Sequence, residues 1–436
     1  MNKLQRILIL CLSVLCLAGA FPAQALAEEA KDYAGSIQLN FASDTAKQQV
    51  TVKTYIDGDT VHFFVPDHVV EGGVLKARFL AVNTPETTGK IEEYGKKASQ
   101  FTKDKLESAV SIILESDSNA WSKDSTGDRY LAWVWYKPSE NQPYRNLNIE
   151  LLQNGLAKPN SSGNNRYGDI CLDAIAQAKS QKQNLHSGKK DPDFYYGDAI
   201  ELTLKELRTN PTAYNGKKVA FNGIITTNSN NSVYLEAFDA ETEMYFGISV
   251  YYGYSLSGKG LEILNIGNEA RIVGTMQYYE AGETWQVSGL SYRMMKPKDP
   301  NNIQKLSDGH QPAWVLTTPE TFLHGKVTIQ NDETKQVFDY AELALATSIE
   351  MKNLHVESIY TTTDEDSSSR GAMTLTCKAG DEILQVRTAV LYDDNRSIIT
   401  EDAYLGKTID VKGIVDYFEG HYQIKVFVPS AITVHP

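Results

Sequence analysis

One stretch of this chain occurs twice. Gly267-Asn268-Glu269-Ala270-Arg271-Ile272-Val273-Gly274, followed by Tyr278-Tyr279 and Gln286-Val287, returns as Gly406-Lys407-Thr408-Ile409-Asp410-Val411-Lys412-Gly413, then Tyr417-Phe418 and Gln423-Ile424. Both copies read strand, glycine, strand, aromatic pair, hairpin, strand, and a recurring order of this kind means that one supersecondary unit folds twice. Weaker matches lie upstream, where Lys218–Ile225 resembles Asn353–Tyr360, each after a short helical segment, Leu202–Leu207 and Tyr340–Ala346. Two copies of about 100 residues are therefore expected, at 200–296 and 336–436, with the polar, proline-containing stretch 297–335 as the linker between them. Strand number and glycine placement suggest OB-like β-barrels.

At 436 residues the chain exceeds the roughly 250–300 residues at which a single core stops growing, so the two copies do not account for it. A third domain is expected over residues 47–190, between a loose lead-in at 28–46 and an Asp-, Pro- and Gly-rich linker at 191–199. Its first strands are Val50–Ile56 and Thr60–Val65, split by the turn Asp57-Gly58-Asp59, and then Leu75–Val82. Tyr94, Ala98, Phe101, Leu106 and Ala109 recur at helical spacing. Strands follow at Ile112–Glu115 and Arg129–Tyr136, and helices at Leu147–Asn154 and Asp169–Gln183. This is a small barrel of about five strands with three helices, so the whole chain is mainly β with an α+β first domain.

The first residues have another purpose. Lys3 and Arg6 precede the apolar run Ile7–Ala20, and Ala25-Leu26-Ala27 places small residues at the positions that define cleavage, the pattern of a secretory signal peptide removed after Ala27. Beyond it nothing approaches the roughly 18 unbroken apolar residues of a membrane span. Removal of the leader leaves Cys171 and Cys377 alone, in different domains, and two separate buried thiols are expected rather than a disulfide framework.

Charge divides the chain more sharply than its net value of -13 suggests. Residues 47–190 carry 19 Lys and Arg against 17 Asp and Glu, whereas residues 191–436 carry 20 against 34. An acidic field repels a polyanion, so contact with nucleic acid belongs to the first domain.

Chemistry concentrates between Asp57 and Thr87. An Asp-Gly-Asp turn presents carboxylates at a barrel rim, and Asn83-Thr84-Pro85-Glu86 adds an amide oxygen, a main-chain carbonyl and a further carboxylate. Oxygen-only ligands favour a hard cation, calcium before magnesium or zinc. Arg78 and Arg129 sit in otherwise apolar strand context and need a partner or a function; a planar, permanently charged guanidinium suits the equatorial oxygens of a phosphoryl transition state. Glu86, at a strand end beside a proline, is the natural water activator.

Ile56-Asp57-Gly58-Asp59-Thr60-Val61, Arg78-Phe79-Leu80-Ala81-Val82-Asn83-Thr84-Pro85-Glu86-Thr87, Tyr94-Gly95, Arg129-Tyr130-Leu131-Ala132 and Gly155-Leu156-Ala157-Lys158 are similar in order and spacing to the staphylococcal nuclease (thermonuclease) family. The resemblance covers about residues 47–190. It implies a five-stranded OB barrel with three helices, and hydrolysis of DNA and RNA with calcium. It further implies Asp59, Asn83 and the Thr84 main-chain carbonyl as metal ligands, Asp57 just outside them, Arg78 and Arg129 as phosphate clamps, and Glu86 as the residue that orients or deprotonates water. Where the family has a second metal-binding aspartate this chain has Asn83, which lowers the charge of the site and weakens calcium. The loop Asp124-Ser125-Thr126-Gly127-Asp128 replaces a Tyr-Gly ahead of the second arginine. Lys158-Pro159-Asn160-Ser161-Ser162 lacks the tyrosines that stack on a base, which leaves Lys158 and Tyr167 as the nearest substrate contacts.

The expectation is thus a secreted calcium-dependent endonuclease. The alternative is a catalytically weakened nuclease-like module whose acidic barrels bind a protein or a cell surface. Tyr278, Tyr279, Trp285, Tyr417 and Phe418 offer rings for single strands, but the acidity of this half favours a structural or protein-binding role. The eight histidines are scattered without metal-ligand spacing, and Asp364-Glu365-Asp366-Ser367-Ser368-Ser369 lacks the glycine and terminal glutamate of a calcium loop.

Overall fold

Strands that bury every second side chain need a curved surface to close over. In the computed structural model, which describes residues 30–87, 91–229, 231–254, 256–331, 334–364 and 367–435, three sheets achieve this by closing on themselves as five-stranded barrels. The leader expected over residues 1–27 lies outside the described residues, as do residues 365–366 of the acidic loop.

The first barrel is built from β1 (Lys47–Tyr55), β2 (Thr60–Phe64), β3 (Val74–Phe79), β4 (Ser111–Glu115) and β5 (Tyr130–Lys137). β1, β2 and β3 form an antiparallel meander, β3 pairs in parallel with β5, and β4 closes the circle antiparallel to both β5 and β1. In β3 the alternation is plain: Leu75, Ala77 and Phe79 are buried while Lys76 and Arg78 are only partly so. Helices α1 (Gly95–Glu107), α2 (Leu147–Gln153) and α3 (Gly168–Ser180) pack around it.

The same circuit is repeated twice. The second barrel uses β6 (Lys218–Ser229), β7 (Ser232–Asp239), β8 (Met244–Tyr251), β9 (Glu269–Tyr279) and β10 (Thr284–Ser288). The third uses β11 (Ser348–Thr361), β12 (Met373–Ala379), β13 (Glu382–Thr388), β14 (Thr408–Phe418) and β15 (His421–Val426). In each, the third and fifth strands are the parallel pair and the first and fourth close the barrel. The repeated glycines have one cause. A Cβ on Gly274 would come within 2.6 Å of the Ser288 carbonyl oxygen, and one on Gly413 within 2.7 Å of that of Lys425. The neighbouring strand passes too close for any side chain at either place.

Register corrects the upstream alignment. Val219 lies opposite Gly274 and Ile349 opposite Gly413, so Lys218 corresponds to Ser348 and not to Asn353. An irregularity in the pairing of β11 between Met351 and Leu354 hides this in the sequence.

The stretches read as linkers are also structured. Gln304–Ser307 adds an edge strand to β9, and Val315–Leu316 pairs in parallel with β11. The hairpin Lys326–Asn331 and Thr334–Asp339 packs Val327, Ile329 and Phe338 against the core of the second barrel. In the lead-in, a turn of helix at Tyr33–Ser36 buries Ala34 on the first core, with the Ala34 amide donating to Gln153 Oε1 at 3.0 Å.

Tyr33–Pro436 form one body of contacts. The second and third barrels meet at Glu236 of β7, which is 1% exposed. Its carboxylate accepts from the amides of Ala313 and Ser348, both at 2.7 Å, and from Ser348 Oγ at 2.8 Å. Gly247 lies in the same joint, where a Cβ would meet the Ala346 carbonyl carbon at 2.6 Å. Cys171 and Cys377 are buried, unpaired and in different cores, as the sequence implied. No helix among the described residues is long and apolar enough to cross a membrane.

Candidate active site

The turn between β1 and β2 is held from two sides. Asp57 Oδ1 accepts from the Asp59 amide at 2.9 Å, and Thr102 of α1 donates to the Gly58 carbonyl at 2.6 Å. Only glycine fits at position 58, because a Cβ there would lie 2.8 Å from Thr84 and 3.0 Å from Ala98. This contact brings Thr84 over the turn. Asp59, 1% exposed, then accepts from the Thr84 amide at 2.6 Å and from Thr60 Oγ1 at 3.2 Å.

Arg78 stands opposite Thr60 and forms an ion pair with Asp59. The run Leu75–Val82 was expected as one strand, but it breaks at Ala81, whose φ is 66°. A left-handed alanine needs outside support. Ser162 Oγ and the Asn160 amide donate to its carbonyl at 2.5 and 3.2 Å, and Val82–Asn83 pairs with Lys158–Pro159. The kink returns Asn83 to Arg78, whose guanidinium donates to Asn83 Oδ1 at 2.6 Å. Lys158 to Ser162, read as a substrate loop, thus braces the turn that aims Asn83 and Thr84. Lys158 itself is exposed, with Glu92 3.7 Å away.

Glu86 follows at the open rim. Its main chain is gripped by Glu92, whose amide donates to the Glu86 carbonyl at 3.0 Å, and α1 begins directly against it: a Cβ on Gly95 would fall 2.5 Å from that carbonyl. Crowding by the surrounding protein raises the Glu86 carboxyl from its ordinary value; the charges of Asp57 and Glu92 add to this and Arg78 opposes it. Burial likewise raises Asp57, against the pull of Arg78 and Arg129. It lowers the Arg78 guanidinium, where Asp57, Glu86 and Asp124 counter and Arg129 adds. Arg78 therefore shares one electrostatic neighbourhood with Asp57, Glu86 and Arg129.

Arg129 is engaged by a residue the sequence reading passed over. Its Nε and a terminal nitrogen both reach Asp124 Oδ2, at 2.7 and 2.6 Å. Burial acts to raise the Asp124 carboxyl, but hydrogen bonds from Thr126 and Arg129 hold it below its ordinary value. The acidic loop before Arg129 was the signal. Asp191, in the stretch read as a linker, also has a part: buried, it accepts from the Tyr94 amide at 2.6 Å and fixes the approach to α1. Tyr167 is elsewhere. Its hydroxyl donates to buried Glu115 at 2.9 Å, and its ring packs edge-on against Trp133 and Trp135, with centroids 5.0 and 5.8 Å away. It packs half-buried against the core of the first barrel.

Among the described residues no group of three or more His, Cys, Asp or Glu side chains is arranged to hold a metal ion. The donors gathered here are of mixed kind: one carboxylate, one amide oxygen and the main chain of Thr84. Asp59 and Asn83 both direct an oxygen to the same guanidinium, so they converge on one positive charge. That set suits a hard cation in kind, though it brings a single first-contact carboxylate.

Fold and site together give an OB-like barrel with helices packed around it and an arginine and carboxylate cluster at its rim. Residues 76–188 match the family described as Staphylococcal nuclease homologue, and this part of the chain is such a domain. The match takes in Arg78, Glu86 and Arg129, while Asp57 and Asp59 lie just ahead of it in β1 and β2 territory that completes the same barrel.

Proposed function

We propose that the chain is a secreted, calcium-dependent endonuclease that hydrolyses phosphodiester bonds of DNA and/or RNA by metal-assisted attack of water. The observation that carries this reading is the Asp59–Arg78–Asn83 group, with Arg129 and Glu86 in its electrostatic range, inside a Staphylococcal nuclease homologue domain. Asp59, Asn83 and the Thr84 carbonyl would hold calcium, with Asp57 behind them. When bound, the ion supplies positive charge against the phosphate and lowers the proton affinity of water. Arg78 and Arg129 bind phosphate oxygens and the charge that gathers on them, and Glu86 orients the water and accepts its proton. Secretion rests on the leader pattern of residues 1–27.

The purified chain should degrade DNA or RNA with calcium and stop when calcium is chelated. Activity indifferent to chelation defeats the mechanism.

One observation favours the second reading, a weakened nuclease-like binding module: each arginine is already engaged by an acidic residue, Arg78 by Asp59 and Arg129 by Asp124. Asn83→Asp separates the two. Tighter calcium use by an active enzyme supports the first reading, and no turnover in either form supports the second.

A further inference from the structure

The third barrel repeats the position of Arg78. In the first barrel Arg78 stands opposite Thr60 of β2 and beside Leu131 of β5; in the third, Arg387 stands opposite Thr374 of β12 and beside Lys425 of β15. The inward neighbours agree, with Val61 opposite Ala77 in one barrel and Leu375 opposite Val386 in the other. The second barrel has Tyr251 at this place, opposite Ser232 and beside Ser288. A guanidinium therefore returns at the same register in the first and third barrels.

The surroundings of the two guanidiniums differ. Asp59, immediately before Thr60, pairs with Arg78, whereas the residue immediately before Thr374 is Met373, buried in the third core. Arg387 is held by hydroxyls instead. Its two terminal nitrogens donate to Thr374 Oγ1 and Thr362 Oγ1, both at 2.9 Å, and among the described residues it has no ion-pair partner. A hydroxyl oxygen that accepts from a guanidinium keeps its own proton for a further acceptor. Pairing across four strands sets Tyr360, Thr374, Arg387 and Lys425 side by side, so they share one face of the sheet. Tyr360 is 64% exposed and Arg387 half-buried. Asp416, 3.6 Å from Lys425, offsets that lysine, which leaves Arg387 as the uncompensated charge of the row.

We propose that Arg387, with the hydroxyls of Thr362 and Thr374, binds the phosphate group of a small phosphate monoester. A guanidinium gives charge-assisted hydrogen bonds to phosphate oxygens, and two hydroxyl protons outside its plane suit a tetrahedral oxyanion better than a flat carboxylate. Tyr360, beside Thr374, offers its exposed ring to the organic part of the ester. The size of the occupant follows from charge. Residues 336–436 carry 8 Lys and Arg against 16 Asp and Glu, a field whose penalty grows with every phosphate of a long strand, whereas a single phosphate is held by contacts at hydrogen-bond distance. The Tyr360 row holds no carboxylate to take a proton from water, so the site binds without hydrolysing. It stands independently of the nuclease reading of the first barrel.

The test labels the arginines of the full chain with phenylglyoxal, with chelator present, and reads each one by peptide mass spectrometry. Labelling of Arg387 should slow by at least about fivefold in about 10 mM glycerol phosphate or adenosine monophosphate, relative to sodium chloride or sodium acetate at equal ionic strength. Equal protection by both esters assigns binding to the phosphate alone, and stronger protection by adenosine monophosphate adds the Tyr360 ring. The paired substitution Thr362→Val and Thr374→Val should abolish the protection while Arg387 itself remains to be labelled. Acetate as protective as the esters overturns the proposal, as do esters that leave the Arg387 rate unchanged, protection that survives both valines, and an Arg387 closed to phenylglyoxal in the free protein. Arg78 is read in the same samples, so binding at the first barrel is scored separately and its failure leaves the result at Arg387 intact.

Discussion

The rim of the first barrel and the joint between the second and third each bury a carboxylate to 1% exposure, and they satisfy it in opposite ways. Asp59 is paired with a charge, Arg78, and takes the Thr84 amide as well. Glu236 accepts only neutral donors, the Ala313 and Ser348 amides and the Ser348 hydroxyl. Its burial outweighs those bonds and raises its carboxyl above the ordinary glutamate value. A buried ion pair is seldom more stable than an apolar pair of the same size, whereas a carboxylate facing amides ties two segments together without offering charge to anything else. The difference separates a rim that holds paired charge from a joint that holds none.

The contrast can be measured, beginning with function. Arg78→Lys should lower kcat for phosphodiester hydrolysis by about 10²-fold or more, since a point charge cannot reproduce the guanidinium fork, while Glu236→Gln leaves kcat unchanged. Loss of activity in both would merge the two sites into one cooperative structure. Stability comes next. Asp59→Ala strands a partly buried cation and should cost about 3–5 kcal/mol in denaturant unfolding. Glu236→Ala strands neutral amides and should cost about 2–4 kcal/mol. A larger loss at Glu236 would reverse the assignment of roles.

Dependence on pH is a smaller effect with a definite sign. Because the folded Glu236 carboxyl is raised, the native state holds its proton to higher pH than the unfolded chain does. Its contribution is fully present below the ordinary glutamate value and is lost as pH rises through the raised value. Thermal melts taken upward from that range should show the C-terminal barrels weakening with pH in wild type and a flatter profile in Glu236→Gln. An identical slope in both would show that another group titrates there. The smallest effect is expected at Asp124. Freeing Arg129 by Asp124→Asn should tighten a small phosphodiester by up to about fivefold in KM, the scale of a part-exposed ion pair.

Much of the first barrel could be read from its residues because its signals are local. Asp57-Gly58-Asp59 marks a turn wherever it falls between β-branched runs, and the strand boundaries around it agree with the structure to within three residues, the widest misses being at Lys47 and Phe79. The repeat was legible through Gly274 and Gly413, whose constraint is steric and leaves no other residue. What escaped depends on distant partners. No window around Ala81 announces a left-handed residue, since its support comes from Ser162, far along the chain. Asp124 looked like loop polarity until Arg129 was seen to bind it, and Asp191 like linker polarity until it met Tyr94. The edge strand Gln304–Ser307 pairs only with β9 among the described residues and keeps its side chains half-buried or exposed, so it carries no apolar period.

Cys171 and Cys377 close the account of this molecule's durability. Burial pushes each thiol up to about 12, so almost none of either is in the thiolate form that attacks disulfides or reacts with oxidants. Lying in different cores, the two sulfurs form no cross-link for a reductant to break, so the folded barrels should hold equally well in aerated and in reducing medium.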